Sequence, residues 1–199
     1  MTPNNNTPQV EKGIPLGFLH RIYISGEIGA PENYIETFEL LRSLTQNDVV
    51  IIHMNSEGGQ VRTVVQFIRC MKECKAEIVC SVEGDCMSAA TMIFLTADTH
   101  EVADHSLFMF HNYLGGTFGK GGEMYDQITH FRSWSEKLFD SFYKDFLTPE
   151  EIKSMLDNKN IWLDAGEVAK RLEKRIAAHD APEETPTTKP ARKKPTTNK

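Results

Sequence analysis

The sequence has no long uncharged apolar run and no recognisable signal peptide. Its most apolar uncharged stretch, residues 86–97, has 12 residues, whereas a membrane-spanning helix needs roughly 18 or more. Residues 1–12 are rich in Asn, Thr and Pro without a basic segment, and residues 14–19 are too few for the apolar core of a signal peptide. From these absences we expect a cytoplasmic protein without a membrane segment.

Cysteine is scarce, and its spacing is unsuited to a metal site or a disulfide scaffold. The four cysteines are Cys70, Cys74, Cys80 and Cys86, and no two of them form the Cys-x-x-Cys pair that metal sites commonly use. His53 is the only nearby nitrogen ligand. We therefore expect buried or half-buried thiols, and we expect the protein to use no metal or other cofactor.

The composition is that of a soluble globular protein with an acidic balance. The 199 residues are 40% apolar and 25% charged, and 22 Lys and Arg against 28 Asp and Glu give a net charge of −6. That balance argues against nucleic acid or an anionic membrane as the partner. Residues 1–18 are typical of a flexible leader and 179–199 of a disordered tail rich in Pro, Thr and Lys, which leaves one domain over 19–178.

Strand and helix patterns alternate along this domain. Residues 48–54 form a continuous apolar run of the kind that parallel sheets bury on both faces. Other β-branched runs predict further strands, and apolar residues three or four apart predict helices. The predicted strands are 21–25, 48–54, 76–82 and 106–110, and the predicted helices are 34–44, 61–71 and 87–96. Repeated β-α-β units of this kind imply an α/β fold with right-handed crossovers.

Residues 123–146 predict a long helix whose apolar side chains cover more than half of its circumference. Four of its aromatic residues cannot all be buried by one neighbouring layer: Phe131, Trp134, Phe139 and Phe142. We therefore expect this helix to be sandwiched or to pack on another subunit. A new helix is expected to begin at Thr148, which is followed by Pro and Glu in the order of a capping box.

Three segments carry residues suited to catalysis or ligand binding. The glycine-rich turn 55–59 follows a strand and precedes a helix, so its N–H groups can face an oxyanion, although routine strand-to-helix turns look alike. Ser88 lies at the next such turn, either as a nucleophile or as a helix N-cap. His111 ends an apolar strand, either as a functional base or as a hydrogen-bonded structural residue.

The order and spacing of four motifs resemble those of one family. Residues 55–59 read Asn-Ser-Glu-Gly-Gly, Ser88 ends a Gly-x-x-x-Ser motif before an apolar helix, and 109–116 read Met-Phe-His-x-x-Leu-Gly-Gly. The fourth motif, 162–168, reads Trp-Leu-Asp-Ala-Gly-Glu-Val. From about residue 20 to about residue 172, the chain resembles the proteolytic subunit of the Clp protease.

The resemblance implies a serine peptidase in which Ser88 is the nucleophile and His111 its general base and then acid. The backbone N–H groups of Gly59 and Ala89 would hold the oxyanion. The implied fold is the crotonase-like superhelix of β-β-α units, whose protruding long helix is a handle that joins two heptameric rings into a 14-mer. The resemblance also implies that active sites inside this homo-oligomer would act on protein or peptide substrates, fed to them by a ring-shaped, ATP-driven AAA+ unfoldase.

The sequence departs from the family pattern at the third triad position. Asn160 stands where the family has its catalytic aspartate. An amide can orient the imidazole of His111, but it adds no negative charge beside the imidazolium that forms during catalysis. Asp157 and Asp164 lie close by in the sequence and are the alternatives to Asn160.

Further departures concern the partner and the function. Ile51 and His53 replace aromatic residues that help to form the family's docking pocket for unfoldase loops, and the leader lacks the family's apolar start. The preferred function is a self-compartmentalised endopeptidase of the Clp type, and a phage prohead maturation protease is one alternative. Asn160 sustains the alternative of a weak or inactive ring subunit with an assembly or regulatory role. The Ser88 and His111 pair disfavours an acyl-CoA enzyme on the related crotonase fold.

Overall fold

Six strands and six α-helices lie within residues 17–179, the part of the chain that the computed structural model describes. The strands are β1 (Leu19–Ile28), β2 (Val49–Gly59), β3 (Glu77–Met87), β4 (Thr99–Val102), β5 (Leu107–Phe110) and β6 (Ile161–Asp164). The helices are α1 (Ile35–Ser43), α2 (Val61–Glu73), α3 (Ala90–Thr96), α4 (Gly121–Tyr143), α5 (Pro149–Leu156) and α6 (Ala165–His179). A 3-10 turn, Pro31–Tyr34, precedes α1. The predicted α/β class is confirmed.

The strands join one sheet in the order β1-β2-β3-β5-β6, with β4 paired to β3 beside this path. β6 is antiparallel to β5, and the other pairs are parallel. The long strand β3 pairs with β4 through residues 79–82 and with β5 through 85–87, so the sheet divides along β3. The sequence patterns do not predict β4 and β6, because four residues are too few to show a period of two.

One face of the sheet packs on helices and the other is open. On β2, alternate residues from Val50 to Met54 are fully buried in a core that they share with α1, α2 and α3. Ile51 and His53, which lie between them, are only partly buried. Tyr23, opposite His53 on β1, is 65% exposed. The prediction that this apolar run is buried on both faces is therefore wrong for one face.

The strands bend as they approach the edge of the sheet. The β1–β2 register shifts between Ser25 and Glu27, around Gly26, whose φ of 72° is readily adopted only by glycine. The β2–β3 register shifts nearby, between Met54 and Ser56. Ser56 Oγ donates a hydrogen bond to the Gly26 carbonyl at 2.6 Å, which ties the two bends together. The ends of β1 and β2 therefore stay paired beyond the bends, with Glu27 opposite Gly58 and Ile28 opposite Gly59.

The long helix α4 is only partly packed on the rest of the domain. It ends three residues before the predicted 146, because Phe146 and Leu147 turn back to donate their N–H groups to the Tyr143 carbonyl and are themselves buried. Its own buried side chains are Ser135, Phe139 and Tyr143. Before Ser135 it carries four large apolar side chains that are 43–72% exposed, which we call the α4 apolar face: Tyr125, Ile128, Phe131 and Trp134.

Local predictions at a helix start and at the cysteines are confirmed. Thr148 Oγ1 accepts the N–H of Glu151, and the Glu151 carboxylate accepts the N–H of Thr148, so α5 begins with the predicted capping box. All four cysteines are free thiols, three of them buried and Cys74 half-buried. Helix α3 begins at Ala90 rather than at 87, because β3 continues to Met87.

The predicted leader and tail fall almost entirely outside the described residues. Phe18 is an exception: its N–H donates to Asp48 Oδ1 at 2.8 Å, and its carbonyl accepts the N–H of Val49 at 2.9 Å. The hydrogen-bonded domain thus includes Phe18, one residue before its predicted start at residue 19. Helix α6 reaches His179, one residue beyond the predicted end of the domain. Of the helices between residues 17 and 179, none is both long and apolar enough to cross a bilayer.

Candidate active site

Ser88 occupies a left-handed turn between β3 and α3. Its φ is 54°, a conformation that costs a residue other than glycine about 1–2 kcal/mol. Its N–H donates to the Met109 carbonyl at 2.7 Å, and its carbonyl accepts the N–H and the hydroxyl of Thr91 at 3.1 and 2.6 Å. No side-chain cap hydrogen bond forms at the start of α3, so Ser88 does not act as a helix cap. These bonds hold the turn and leave the Ser88 hydroxyl available.

His111 follows β5 at the same edge of the sheet. The end of β3 pairs in parallel with β5, with Met87 opposite Met109, so the residues that follow the two strands come together. His111 Nε2 lies 2.6 Å from Ser88 Oγ. Burial lowers the pKa of His111 below its usual value of 6.5. The ring is therefore uncharged at neutral pH, and Nε2 accepts the hydroxyl proton when Nδ1 carries the ring proton.

Asn160 directly precedes β6, and His111 directly follows β5. The last pair of the antiparallel β5–β6 ladder is Phe110 with Ile161, so both residues extend from the same end of this ladder. Asn160 is exposed, and its side chain makes no hydrogen bond within residues 17–179. The hydrogen bond to Ser88 is the only one that the His111 ring makes in this range. Asn160 and His111 are therefore near in the topology, but no hydrogen bond joins them.

Neither alternative aspartate bonds to the ring. Asp164 pairs with Leu107 at the far end of the β5–β6 ladder, four residues and about 13 Å along the strand from His111. Its carboxylate accepts the N–H of Glu167 at 2.8 Å, and the Glu167 carboxylate accepts the N–H of Asp164 at 3.2 Å, so Asp164 caps α6. Asp157 is exposed at the end of α5.

The glycine-rich turn at the end of β2 closely approaches the Ser88 turn. A Cβ atom on Gly58 would lie 2.6 Å from Ser88 Cβ and 2.7 Å from the Met87 carbonyl oxygen, so only glycine allows this approach. Gly59 follows it and lines the same cleft as Ser88. On the Ser88 side, Ala89 is buried and its N–H has no acceptor in the described part of the chain. An oxyanion placed between the two turns would find an unpaired donor there.

Comparisons with known proteins identify the family of this chain and a solved structure with a similar fold. A family model described as Clp protease matches residues 20–171. The chain belongs to the Clp protease family. Among solved structures, an asparagine-to-aspartate mutant of ClpP1 from Listeria monocytogenes is similar to it, with a TM-score of 0.60 and 22% sequence identity over 76% of this chain and 86% of that chain. No curated protein matches the chain. The predicted family and the predicted Clp-like fold are both confirmed.

In this Clp protease family member, Ser88 and His111 open onto a cleft of about 1410 Å3 between the sheet edge and α4. This volume exceeds the roughly 300–1,000 Å3 of pockets for small molecules and suits a peptide. Apolar side chains from α3 and α4 line it, among them Met92, Phe131 and Phe139. Within residues 17–179, no three His, Cys, Asp or Glu side chains are grouped so that they could hold a metal ion.

Sequence reasoning missed the residues that support the pair. Thr91 and Tyr143 form a hydrogen-bonded connection behind the Ser88 turn, although they are 52 residues apart. Asn112 donates from its amide to the Leu156 carbonyl at 3.2 Å and to Asn158 Oδ1 at 3.1 Å, which ties the segment after His111 to the α5–β6 loop. Only Thr91 had a local signal, because a hydroxyl three residues after Ser88 can reach back to its carbonyl.

Proposed function

We propose that the chain is a serine endopeptidase of the Clp type. The observation that supports this most directly is the 2.6 Å approach of His111 Nε2 to Ser88 Oγ at a cleft large enough for a peptide. A neutral imidazole at this distance can take the hydroxyl proton, which activates an otherwise weak nucleophile. The proposal includes Gly59 and Ala89 as donors to the oxyanion, and Asn160 as the residue that orients the imidazole.

The proposed reaction has two stages. Ser88 Oγ attacks the carbonyl carbon of the scissile bond while its proton passes to His111 Nε2, and the oxyanion that forms faces the N–H groups of Gly59 and Ala89. Collapse of this intermediate breaks the C–N bond, and the imidazolium protonates the leaving amine, so that an ester remains on Ser88. A water molecule that loses its proton to His111 then hydrolyses the ester, and that proton returns to the serine oxygen.

The decisive experiment is covalent labelling with a fluorophosphonate, which reacts with activated serines. We expect the unaltered chain to be labelled and Ser88→Ala to be unlabelled. Ser141→Ala is the matched control, because Ser141 is an exposed serine on α4 whose hydroxyl donates only to the Leu138 carbonyl. Absence of labelling in the unaltered chain, or its persistence in Ser88→Ala, would exclude the proposed nucleophile.

The open side of His111 favours a second candidate function, a catalytically weak ring subunit with an assembly or regulatory role. Asn160 carries no charge to stabilise the imidazolium, and the His111 ring bonds only to Ser88 within residues 17–179. The two functions differ in peptide turnover. An endopeptidase shows both Ser88-dependent labelling and cleavage, whereas a weak subunit assembles without measurable cleavage.

We propose that the α4 apolar face is buried against further copies of the chain, in stacked heptameric rings of the kind that the family implies. The face forms one stripe along α4, because its four members are three residues apart and Phe131 lies 6.0 Å from Trp134 between ring centroids. Monomeric proteins rarely expose a continuous apolar patch of this kind. Sedimentation of the purified chain tests the proposal, and a stable monomer of 22.6 kDa would contradict it.

For the partner we propose an AAA+ ring unfoldase that docks on the open face of the sheet. This face differs from an all-aromatic pocket: His53 Nδ1 lies 2.6 Å from Glu83 Oε1, and the Tyr23 ring stacks on His53 at 4.6 Å. With such an unfoldase and ATP, we expect the chain to degrade a folded protein. Tyr23→Ala should reduce that degradation and leave the cleavage of a short peptide unchanged, and equal losses of both activities would contradict docking at this face.

A further inference from the structure

Tyr143, in the last turn of α4, contacts a residue that supports the Ser88 turn and the residue that precedes His111. Its hydroxyl lies 2.8 Å from Thr91 Oγ1, and its ring packs edge-on against Phe110 at 5.3 Å between centroids. Phe110 directly precedes His111, and Thr91 bonds to the Ser88 carbonyl. We propose that Tyr143, acting through Thr91 and Phe110, is a positioning residue that sets the geometry of Ser88 against His111. This inference rests on the proposed peptidase function.

The direction of the hydrogen bonds follows from the number of protons. The Ser88 carbonyl oxygen can only accept, so the single hydroxyl proton of Thr91 is used in the 2.6 Å bond to it. In the 2.8 Å contact between Thr91 and Tyr143, the phenol must therefore be the donor. The result is a one-way chain from the Tyr143 hydroxyl through Thr91 Oγ1 to the Ser88 carbonyl, in which each bond polarises the next.

Burial makes this chain rigid. Thr91 is fully buried and Tyr143 is 1% exposed, so water does not compete for either hydroxyl. Burial also raises the pKa of the Tyr143 phenol well above its usual value of 10, so the phenol keeps the proton that it donates. Phe139 stacks on the Tyr143 ring at 5.8 Å, which limits the positions that the ring can take.

The strained conformation of Ser88 explains why this support matters for reactivity. A left-handed serine persists only where its surroundings hold it, and here Thr91 supplies both hydrogen bonds to the Ser88 carbonyl. If the hydrogen bonds from Tyr143 through Thr91 are weakened, the turn can relax and the Ser88 hydroxyl can move away from His111 Nε2. Reaction rates fall steeply with such displacements, because attack requires a narrow range of geometries.

The test compares Tyr143→Phe, which keeps the ring and removes only the hydroxyl, with Ser135→Ala. Ser135 is the matched control, because it is also a buried hydroxyl on α4 but donates to the Arg132 carbonyl, away from the pair. The measurements are the fluorophosphonate labelling rate, kcat and KM for a peptide, and the urea midpoint. We expect Tyr143→Phe to lower the labelling rate and kcat about tenfold with unchanged KM. Ser135→Ala should leave the labelling rate, kcat and KM at the values of the unaltered chain.

Two variants of Thr91 complete the design. Thr91→Val removes the hydroxyl at constant shape and should match the loss in Tyr143→Phe, and the double variant should lose little more, because both changes break the same chain. Thr91→Ser keeps both hydrogen bonds and should retain at least half of the labelling rate. Rescue by serine identifies a hydrogen-bonding role and not one of packing.

The outcomes separate this inference from the proposed function. If the unaltered chain shows Ser88-dependent labelling and Tyr143→Phe is labelled as fast as Ser135→Ala, then Tyr143 is structural and the inference is overturned while the peptidase stands. The same conclusion holds if Tyr143→Phe lowers the urea midpoint but not the labelling rate of the folded protein. If the unaltered chain shows no Ser88-dependent labelling, the proposed function and this inference fail together.

Discussion

The two members of the Ser88–His111 pair are held very differently by the same chain. The peptide groups of Ser88 make three backbone or side-chain hydrogen bonds, to Met109 and Thr91, and Tyr143 supports Thr91 from behind. The His111 ring makes one hydrogen bond within residues 17–179, to Ser88 itself. We call Ser88 with the residues that support its turn the nucleophile half, after the role proposed for Ser88, and His111 with the segment that follows it the base half. The subunit fixes the nucleophile half more firmly than the base half.

The base half also includes a segment whose large apolar side chains are exposed to solvent. The segment after His111 has no regular structure, and Leu114 and Phe118 on it are almost completely exposed. Tyr113, in the same segment, packs against Phe131 of the α4 apolar face. Whatever covers that face also meets the segment that begins at the base. In the assembly proposed above, a neighbouring copy would therefore also contact the segment that begins at His111.

The largest expected effect comes from removing the hydroxyl of Ser88 in the nucleophile half. Ser88→Ala should lower peptide cleavage by roughly 10^6-fold, because the members of a catalytic triad act as a unit. The fold should be retained, since the bonds that hold the turn come from the backbone of Ser88 and not from its side chain. Single-turnover cleavage measures the loss of activity, and circular dichroism checks that the fold is retained. If Ser88→Ala kept half of the activity, the assignment of Ser88 would be refuted.

The next largest effect concerns the α4 apolar face. Replacing Phe131 and Trp134 together by Glu should dissociate the oligomer, because burying two such side chains is worth roughly 3–6 kcal/mol per subunit. Both are about half exposed in the subunit, so the subunit should stay folded while the oligomer is lost. Phe139 is 4% exposed, which corrects the expectation that it is part of the surplus apolar surface. Phe139→Glu should therefore unfold the subunit, and sedimentation with thermal melting distinguishes these results.

A smaller effect is expected from replacing Asn160, the uncharged residue proposed to orient the imidazole of the base half. Asn160→Ala should lower kcat about 100-fold if Asn160 orients the imidazole. Asn160→Asp adds a carboxylate beside the imidazolium, which raises the pKa of His111 and should maintain or increase activity near neutral pH.

The controls for this series are the two aspartates. Asp164→Ala should cost about 1 kcal/mol of stability through the lost α6 cap without selectively lowering kcat. Asp157→Ala should be nearly silent. A silent Asn160→Ala beside an inactive Asp157→Ala would show that the third position has been misassigned, while Ser88 and His111 would be unaffected by that result.

The smallest effect is the response of the base half to pH. Burial lowers the pKa of His111 below 6.5, so the neutral, proton-accepting ring should persist at pH 7 and somewhat below. The rate should therefore stay flat from pH 8 down to the His111 pKa and then fall about tenfold per pH unit. A profile of kcat/KM that already falls above pH 7 would contradict this, and in Asn160→Asp the fall should begin at a higher pH.

Much of this protein can be predicted from local sequence patterns. Apolar periodicity predicts β1, β2, β3 and β5 and the helices between them, and the Thr148 capping box predicts the start of α5. The order of four motifs identifies Ser88, His111 and the turn 55–59 as the residues to examine. These features can be predicted from the sequence because a strand period, a helix cap and a glycine turn are each encoded within a few consecutive residues.

Tertiary structure alone decided how these residues meet. The hydrogen bond between Ser88 and His111 joins residues 23 apart, and that between Thr91 and Tyr143 joins residues 52 apart, so both depend on which strands are neighbours and on where α4 ends. The register of β6 against β5 put Asn160 just beyond the end of the ladder that precedes His111, and Asp164 at the other end. No local pattern encodes such distances, because they result from packing many elements at once, and packing is a property of the whole folded chain.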